Sequence, residues 1–203
     1  MKTDQAAGKW VVPLPTRVEP VRGVRGTFIV ASRAQIRAFG RFEAYERALS
    51  PGDRSSLEAV IAASWVPMEL AHAHFQSIET LGILESEVLE GAKSVSDKLH
   101  GVFLGTLVKT VRLAGITPWT GFTMAAKLWP RIFNGGALGV QEAGPKEARI
   151  VMSGNPLFRY AYHRVAVRGH VRLTTQVFVK IAHVREESCD PERGVLSLVA
   201  SWV

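Results

Sequence analysis

The sequence predicts an α+β fold, with an N-terminal helical subdomain packed on a four-stranded antiparallel sheet and a crossing helix. Three observations carry that prediction. Apolar residues recur at helical spacing through most of residues 32–133. Asn134-Gly135-Gly136 then interrupts the pattern, and side chains begin to alternate with period two. Two alternating stretches flank a basic amphipathic segment, so helices come first and hairpins last. The predicted organisation is an extended arm over residues 1–20 and a single α+β domain over 21–203, helical over 21–135 and sheet-forming over 136–203. A chain of 203 residues is long enough to bury one such core.

In chain order, MKTDQAAGKWVVPLPTRVEP has three prolines and no sustained period, which predicts an extended arm docked through Trp10, Val11 and Val12. Residues 32–49 read as one helix with Ser32 as N-cap and Gly40 as its weak point. Ser50-Pro51-Gly52-Asp53 is turn chemistry, with Asp53 capping a helix to Ala62. Pro67 suits the first turn of a helix to about Leu81, stopped by Gly82. A long helix is expected from Ser86 to Leu113, with Gly101 and Gly105 on one side, and another from Thr117-Pro118 to Phe133. Residues 137–142 and 147–152 read as a hairpin across Ala143–Lys146. The second hairpin is read as 177–182 with 195–203, joined by the loop EESCDPERG.

Hydrophobic residues make up 47% and charged residues 21%, the proportions of a globular rather than a disordered chain. No apolar run reaches membrane-spanning length and no secretory signal pattern opens the sequence, so a cytoplasmic protein is expected. The single Cys189 forms no internal disulfide and sits among carboxylates that disfavour its thiolate. The net charge of +7 is unevenly spread: +5 over residues 1–50, −5 over 51–100 and +7 over 101–203.

The basic surplus is densest in NPLFRYAYHRVAVRGHVRL, residues 155–173. Plotted as one continuous helix, Leu157, Phe158, Ala161, Tyr162 and Val165 share a face, with Arg159 and His163 opposite and Arg164 and Arg168 at the edge. Such a stripe suits a solvated face, a contact with an acidic protein or small anion, or nucleic acid. The last is the weakest reading, because no nucleic-acid-binding motif accompanies the charges. Arg159, His163, Arg164 and Arg168 are the candidate partner or anion contacts.

Other chemistry is sparse. His72 and His74 stand two apart on a predicted helix, so their rings diverge and cannot share an ion; His74 falls beside Leu70 and Ile78 on the apolar face. His100, His163, His170 and His183 are dispersed. NGGALG follows a helix rather than a strand, so it makes no phosphate cradle, and no nucleophile elbow occurs. No catalytic residue, metal site or cofactor is expected.

The landmarks VRGTFIVASR ending at Arg33, SPGDRSSL (50–57), SWVP (64–67), NPLFRYAYHRVAVRGH (155–170) and the terminal SWV resemble an uncharacterised family found mainly in myxobacteria. That family is similar in fold to haem-based nitric oxide/oxygen sensor domains, TRAPP vesicle-transport subunits and vinyl-reductase-type ligand-binding domains. The resemblance implies a helical subdomain on an antiparallel sheet with a crossing helix. Haem-binding members carry a histidine before the first hairpin and a Tyr-x-Ser-x-Arg motif beyond it. Residues 115–133 have no histidine, and that motif does not occur in this chain.

By the same resemblance the chain is expected to be a non-enzymatic module of bacterial signalling or cell organisation, with a protein partner, a second copy of itself, or a lipid or small apolar ligand. Trp65, Trp119, Phe122 and Trp129 are candidate lining residues of an apolar pocket, with ordinary core packing as the alternative. The rival expectations are an enzyme whose site gathers the dispersed histidines in space, and nucleic-acid binding through the basic C-terminal half.

Overall fold

Strand β1 (Trp10–Val12) leads through the prolines of the arm to β2 (Gly23–Arg25), which runs directly into helix α1 (Gly26–Ala38). The computed structural model describes residues 8–91 and 117–203. Helix α1 starts six residues before Ser32, because its first free N–H groups meet carbonyls of the loop ahead of β3 (Trp65–Pro67): Gly26 donates to Ser64 O and Thr27 to Ala62 O, both at 2.8 Å. That approach needs a glycine, since a Cβ on Gly26 would lie 2.1 Å from Ile61 O. Ser32 is therefore an interior helix residue and not a cap.

The helix predicted over 32–49 is two helices. Gly40 takes φ +69 and closes α1, with the Arg41 N–H donating back to Ile36 O at 3.1 Å; α2 (Phe42–Ala48) follows. The cap of α3 (Pro51–Glu58) is Ser50, whose hydroxyl oxygen accepts from the Asp53 N–H at 3.1 Å, with Pro51 at the first helical position. Helix α4 (Met68–Glu79) enters from Pro67, and Gly82 follows at φ +58. Residues 85–91 are helical; the remainder of the predicted Ser86–Leu113 helix lies outside the described residues. Helix α5 (Pro118–Ile132) then leads through β4 (Phe133–Asn134) to β5 (Ala137–Gly144) and β6 (Glu147–Ser153).

The continuous helix predicted from Asn155 does not form. A 3-10 turn covers Pro156–Arg159, Tyr160 is extended, and α6 (Ala161–Gln176) starts afresh. The restart changes the phase of every residue after it: Ala161 is exposed, while His163 is fully buried. The last hairpin also shifts. Strand β7 (Ala182–Asp190) includes most of the expected loop, while 177–181, expected as strand, precede it; the turn into β8 (Val195–Trp202) is 191–194. β7 is an edge strand, where charged side chains are tolerated because one flank meets water.

The main sheet has five strands rather than four, all antiparallel, in the order β1-β5-β6-β8-β7; the arm supplies the extra edge. A second sheet, β3-β2-β4, ties the helical half to the end of α5. Val140, Ile150, Met152, Leu196 and Leu198 cover one face of the large sheet and join a core with Ile29, Ile36, Leu57, Phe75 and Ile78 from the helices. Helix α6 crosses between these layers, held to α4 by the Glu79 carboxylate, which accepts from the Tyr162 N–H at 2.7 Å.

Candidate functional site

Where α1, α4 and α6 meet, a cleft opens. It is lined by Phe28, Ser32 and Gln35 from α1, Phe75 from α4, Val88, and Tyr162, Ala166 and His170 from α6. Spacings of four and three on α1 and four and four on α6 place each trio on one helix face. Counted to its mouth the cleft is about 340 Å³, but the space clear of side chains is about 20 Å³, room for one water molecule. Its described lining mixes apolar side chains with Ser32, Gln35, Tyr162 and His170, and holds no lysine, arginine or carboxylate.

Behind the cleft runs a buried hydrogen-bond chain across three helices. Ser32 Oγ lies 3.0 Å from His74 Nε2; His74 Nδ1 lies 2.7 Å from the Tyr45 hydroxyl. Tyr45 and His74 have no solvent exposure. Burial, with the Arg33 guanidinium and His163 nearby, pushes the His74 pKa down to about 3, so the ring is neutral with one N–H. Burial raises the Tyr45 phenol well above its ordinary value, so it keeps its hydrogen.

These constraints set a direction. The Tyr45 hydroxyl has His74 Nδ1 as its hydrogen-bond partner and donates to it, which puts the imidazole hydrogen on Nε2, donating to Ser32 Oγ. The opposite direction would leave the Tyr45 hydrogen buried and unpaired, at a cost of about 1–3 kcal/mol.

The dispersed histidines partly converge. His163 sits in an aromatic box, its ring centroid 4.9 Å from Phe75 and 5.6 Å from both Phe28 and Phe158; its Nδ1 is buried without a hydrogen-bond partner. Burial, then the positive charges of His170 and Arg164, lower its pKa to about 3. His74 lies on the other side of Phe75, 4.9 Å between centroids, and His170 is 6.5 Å from Phe28. Phe75 contacts both His74 and His163, and Phe28 both His163 and His170; among the described residues no three of His, Cys, Asp or Glu come together to hold a metal. His72 lies apart, its Nδ1 3.1 Å from the Tyr160 hydroxyl.

The basic quartet read from the sequence does not form a single surface grip. His163 is inside the core because α6 restarts after Tyr160. Arg164 is used internally, donating to Phe158 O at 2.9 Å and to Glu186 at 3.3 Å. Arg168 pairs with Glu85, and Arg159 is exposed. The four aromatic candidates are scattered too. Trp65 is 42% exposed beneath the Arg25 guanidinium; Trp119 and Phe122 pack on Trp202; Trp129 packs on Phe133 and donates its indole N–H to Gly135 O. None of them lines the described cleft: Trp65 sits on β3, and α5 packs Trp119, Phe122 and Trp129 against Trp202 and Phe133. The sequence reading overlooked Ser32, Gln35 and Tyr162, whose spacing was visible but whose phase was lost once 32–49 and 155–168 were drawn as single helices.

No protein-family model matches the chain, and no curated protein matches it in sequence. Solved structures do match in fold. The A71G mutant of an H-NOX protein from K. algicida, in its Fe(II) unliganded form, superposes with a TM-score of 0.64 at 11% identity, over 88% of this chain and 96% of that one. The unmutated K. algicida protein gives 0.61 at 12% identity, over 88% and 96%. An oxygen-binding H-NOX domain related to soluble guanylate cyclases gives 0.57 at 11% identity, over 88% and 94%.

Other matching H-NOX structures concern distortion of haem, which prompts a test of fit here. Iron needs an available donor beside room for a porphyrin. Both His74 nitrogens are engaged, the His163 ring is walled by phenyl rings, and burial raises the Cys189 thiol, which donates to Phe158 O. The clear space of about 20 Å³ is far below the roughly 300 Å³ where ligand pockets begin. Haem does not fit the cleft as the described residues shape it. What the chain shares with these proteins is an H-NOX-like α+β fold.

Proposed function

We propose that the chain is a non-enzymatic ligand-sensing module, taking a small, uncharged hydrogen-bond acceptor in the cleft at Tyr162. The carrying observation is the cleft's lining, where Tyr162 stands with Ser32, Gln35 and His170 among apolar side chains and the described residues include no lysine, arginine or carboxylate. The H-NOX-like fold supports a sensing role, since one matched structure is described as an oxygen complex of an oxygen-binding domain. The proposal includes a cytoplasmic setting in cell signalling or organisation and a protein partner that reads the liganded state, supported by the resemblance of the landmark segments.

Two measurements test it. Native mass spectrometry of the purified chain is expected to show a small copurifying molecule. Titration with acceptors of no more than four heavy atoms, such as formamide, acetonitrile and acetone, which can reach in from the mouth of so narrow a cleft, followed by NMR, is expected to shift Ser32 and Tyr162 together. Tyr162→Phe should weaken the best binder about tenfold, the worth of one hydrogen bond of about 1.4 kcal/mol. Binding that is unaffected by that substitution, or that shifts residues outside the cleft, defeats the proposal.

A further inference from the structure

Residues 84–91 contribute one wall of the cleft, and they lie at the surface. Leu84, Glu85, Ser86 and Glu90 are exposed, while Val88 and Gly91, three apart on one helix face, are buried. Val88 is the segment's one side chain in the described lining. Gly91 lies so close to α1 that a Cβ there would overlap the side-chain amide of Gln35, itself a lining residue. Two ion pairs fasten the segment from outside. Glu85 pairs with Arg168 of α6, and Glu87 lies 3.7 Å from Arg41, in the turn between α1 and α2. Arg41 also donates to Leu81 O at 2.7 Å, just ahead of Gly82, which takes φ +58 with open space around it. The segment is thus clasped to the end of α1 and to α6, the two helices that supply most of the lining, with a glycine joint before it.

We propose that residues 84–91 are a movable wall of the cleft, latched by the Glu85–Arg168 and Glu87–Arg41 pairs, and that parting the latch sets the largest molecule the cleft admits. With the wall in place, the clear space of about 20 Å³ holds one water molecule. A bulkier occupant has to displace Val88. The latch suits that task, because the Glu85 side chain is 59% exposed and that of Arg41 38%, so water and salt compete with both pairs. Segments that open for ligands are drawn from such weakly held parts of a fold. Glu87 has a second duty. Its other carboxylate oxygen accepts from the Leu84 N–H at 2.8 Å, so the first turn of the segment forms on the carboxylate that also serves the latch. What the wall admits rests on the cleft reading above; the latch rests on the ion pairs alone.

Amide exchange of the full chain tests the latch with no ligand present. Raising sodium chloride from about 0.05 M to about 0.5 M weakens attraction between exposed charges. Exchange over residues 84–91 should rise about threefold, with residues 118–132 unchanged. Glu85→Gln combined with Glu87→Gln removes both charges but keeps an oxygen for the Leu84 N–H. In that variant exchange over 84–91 should start about threefold higher and no longer respond to salt. Exchange that ignores both salt and the double substitution overturns the proposal. The size limit is read with cyclohexanone, bulkier than the acetone of the titration above. It should leave the Tyr162 signals of the native chain unmoved and shift them in the double variant and in Val88→Ala. Cyclohexanone that binds native and variant chains equally, or binds none of them while acetone binds all, overturns the gating. If formamide, acetonitrile and acetone all fail to bind, the ligand reading falls, and exchange over 84–91 still decides the latch.

Discussion

His74 and His163 have no solvent exposure, and burial is the first cause holding both pKa values near 3. In the unfolded chain each titrates near the ordinary 6.5. Between those values the unfolded state binds more protons than the native one, so stability falls as pH falls. It is fully present above about pH 6.5 and should drop by about 2 kcal/mol per histidine by pH 5. Glu187, held low by its hydrogen bond from Arg149, loses its contribution only below the ordinary carboxylate range, while His72, whose pKa burial also lowers, adds to the loss with the same sign. Urea unfolding at pH 7.5 and pH 5 measures the difference directly. His163→Phe, which suits the ring box and removes an unpaired nitrogen at the loss of a 3.5 Å contact to the Asn155 amide, should keep the fold and remove about 2 kcal/mol of that pH dependence. A stability independent of pH across this window would contradict the neutral, buried state of both rings.

At the scale of elements, two glycines make opposite predictions. Gly194, in the turn between β7 and β8, has φ +62, and a Cβ there would lie 2.8–2.9 Å from the Asn155 backbone. Asn155 in turn donates its N–H to Gly194 O and accepts from the Leu157 N–H, so this turn seats the 3-10 segment that sets the phase of α6. Gly194→Ala should cost at least about 2 kcal/mol in urea unfolding, from left-handed strain plus the clash. Gly52, in the first turn of α3, has open space around its Cβ position, and Gly52→Ala should add about 0.5–1 kcal/mol. Ser50→Ala, by removing the cap of the same helix, should subtract about 1 kcal/mol. Most of these elements were legible in the sequence, because caps, prolines and glycines are local signals. The break at Tyr160 was not, since Asn155-Pro156 opens an α-helix and a 3-10 turn with the same residues. The choice between them is made by Gly194, almost forty positions away.

At the scale of the molecule, the arm closes an edge. Trp10 and Val12 pair with Gln141 and Val140, Gly8 O accepts from the Gln141 side chain, and a Cβ on Gly139 would meet Leu14 and Trp10 at 2.7–2.8 Å. Removing residues 1–16 should bare the β5 edge, which invites pairing between copies. Size-exclusion chromatography of the truncated chain is expected to show more association than the full chain at the same concentration, together with a lower melting temperature. A truncated chain no more associated and no less stable than the full one would show that the arm is not part of the sheet in solution.

The sequence alone determined the class of fold and the order of its elements, because periodicity, caps and turn residues act over a few positions. It also determined that His74 faces inward, since a single helix of undisturbed phase carries it. Only the tertiary structure decided the fifth strand, the burial of His163, and the meeting of Ser32, His74 and Tyr45. Those three residues lie on three helices, and the hydrogen bonds that join them exist only once packing has removed water from between the helices. Local patterns in a chain do not record that condition.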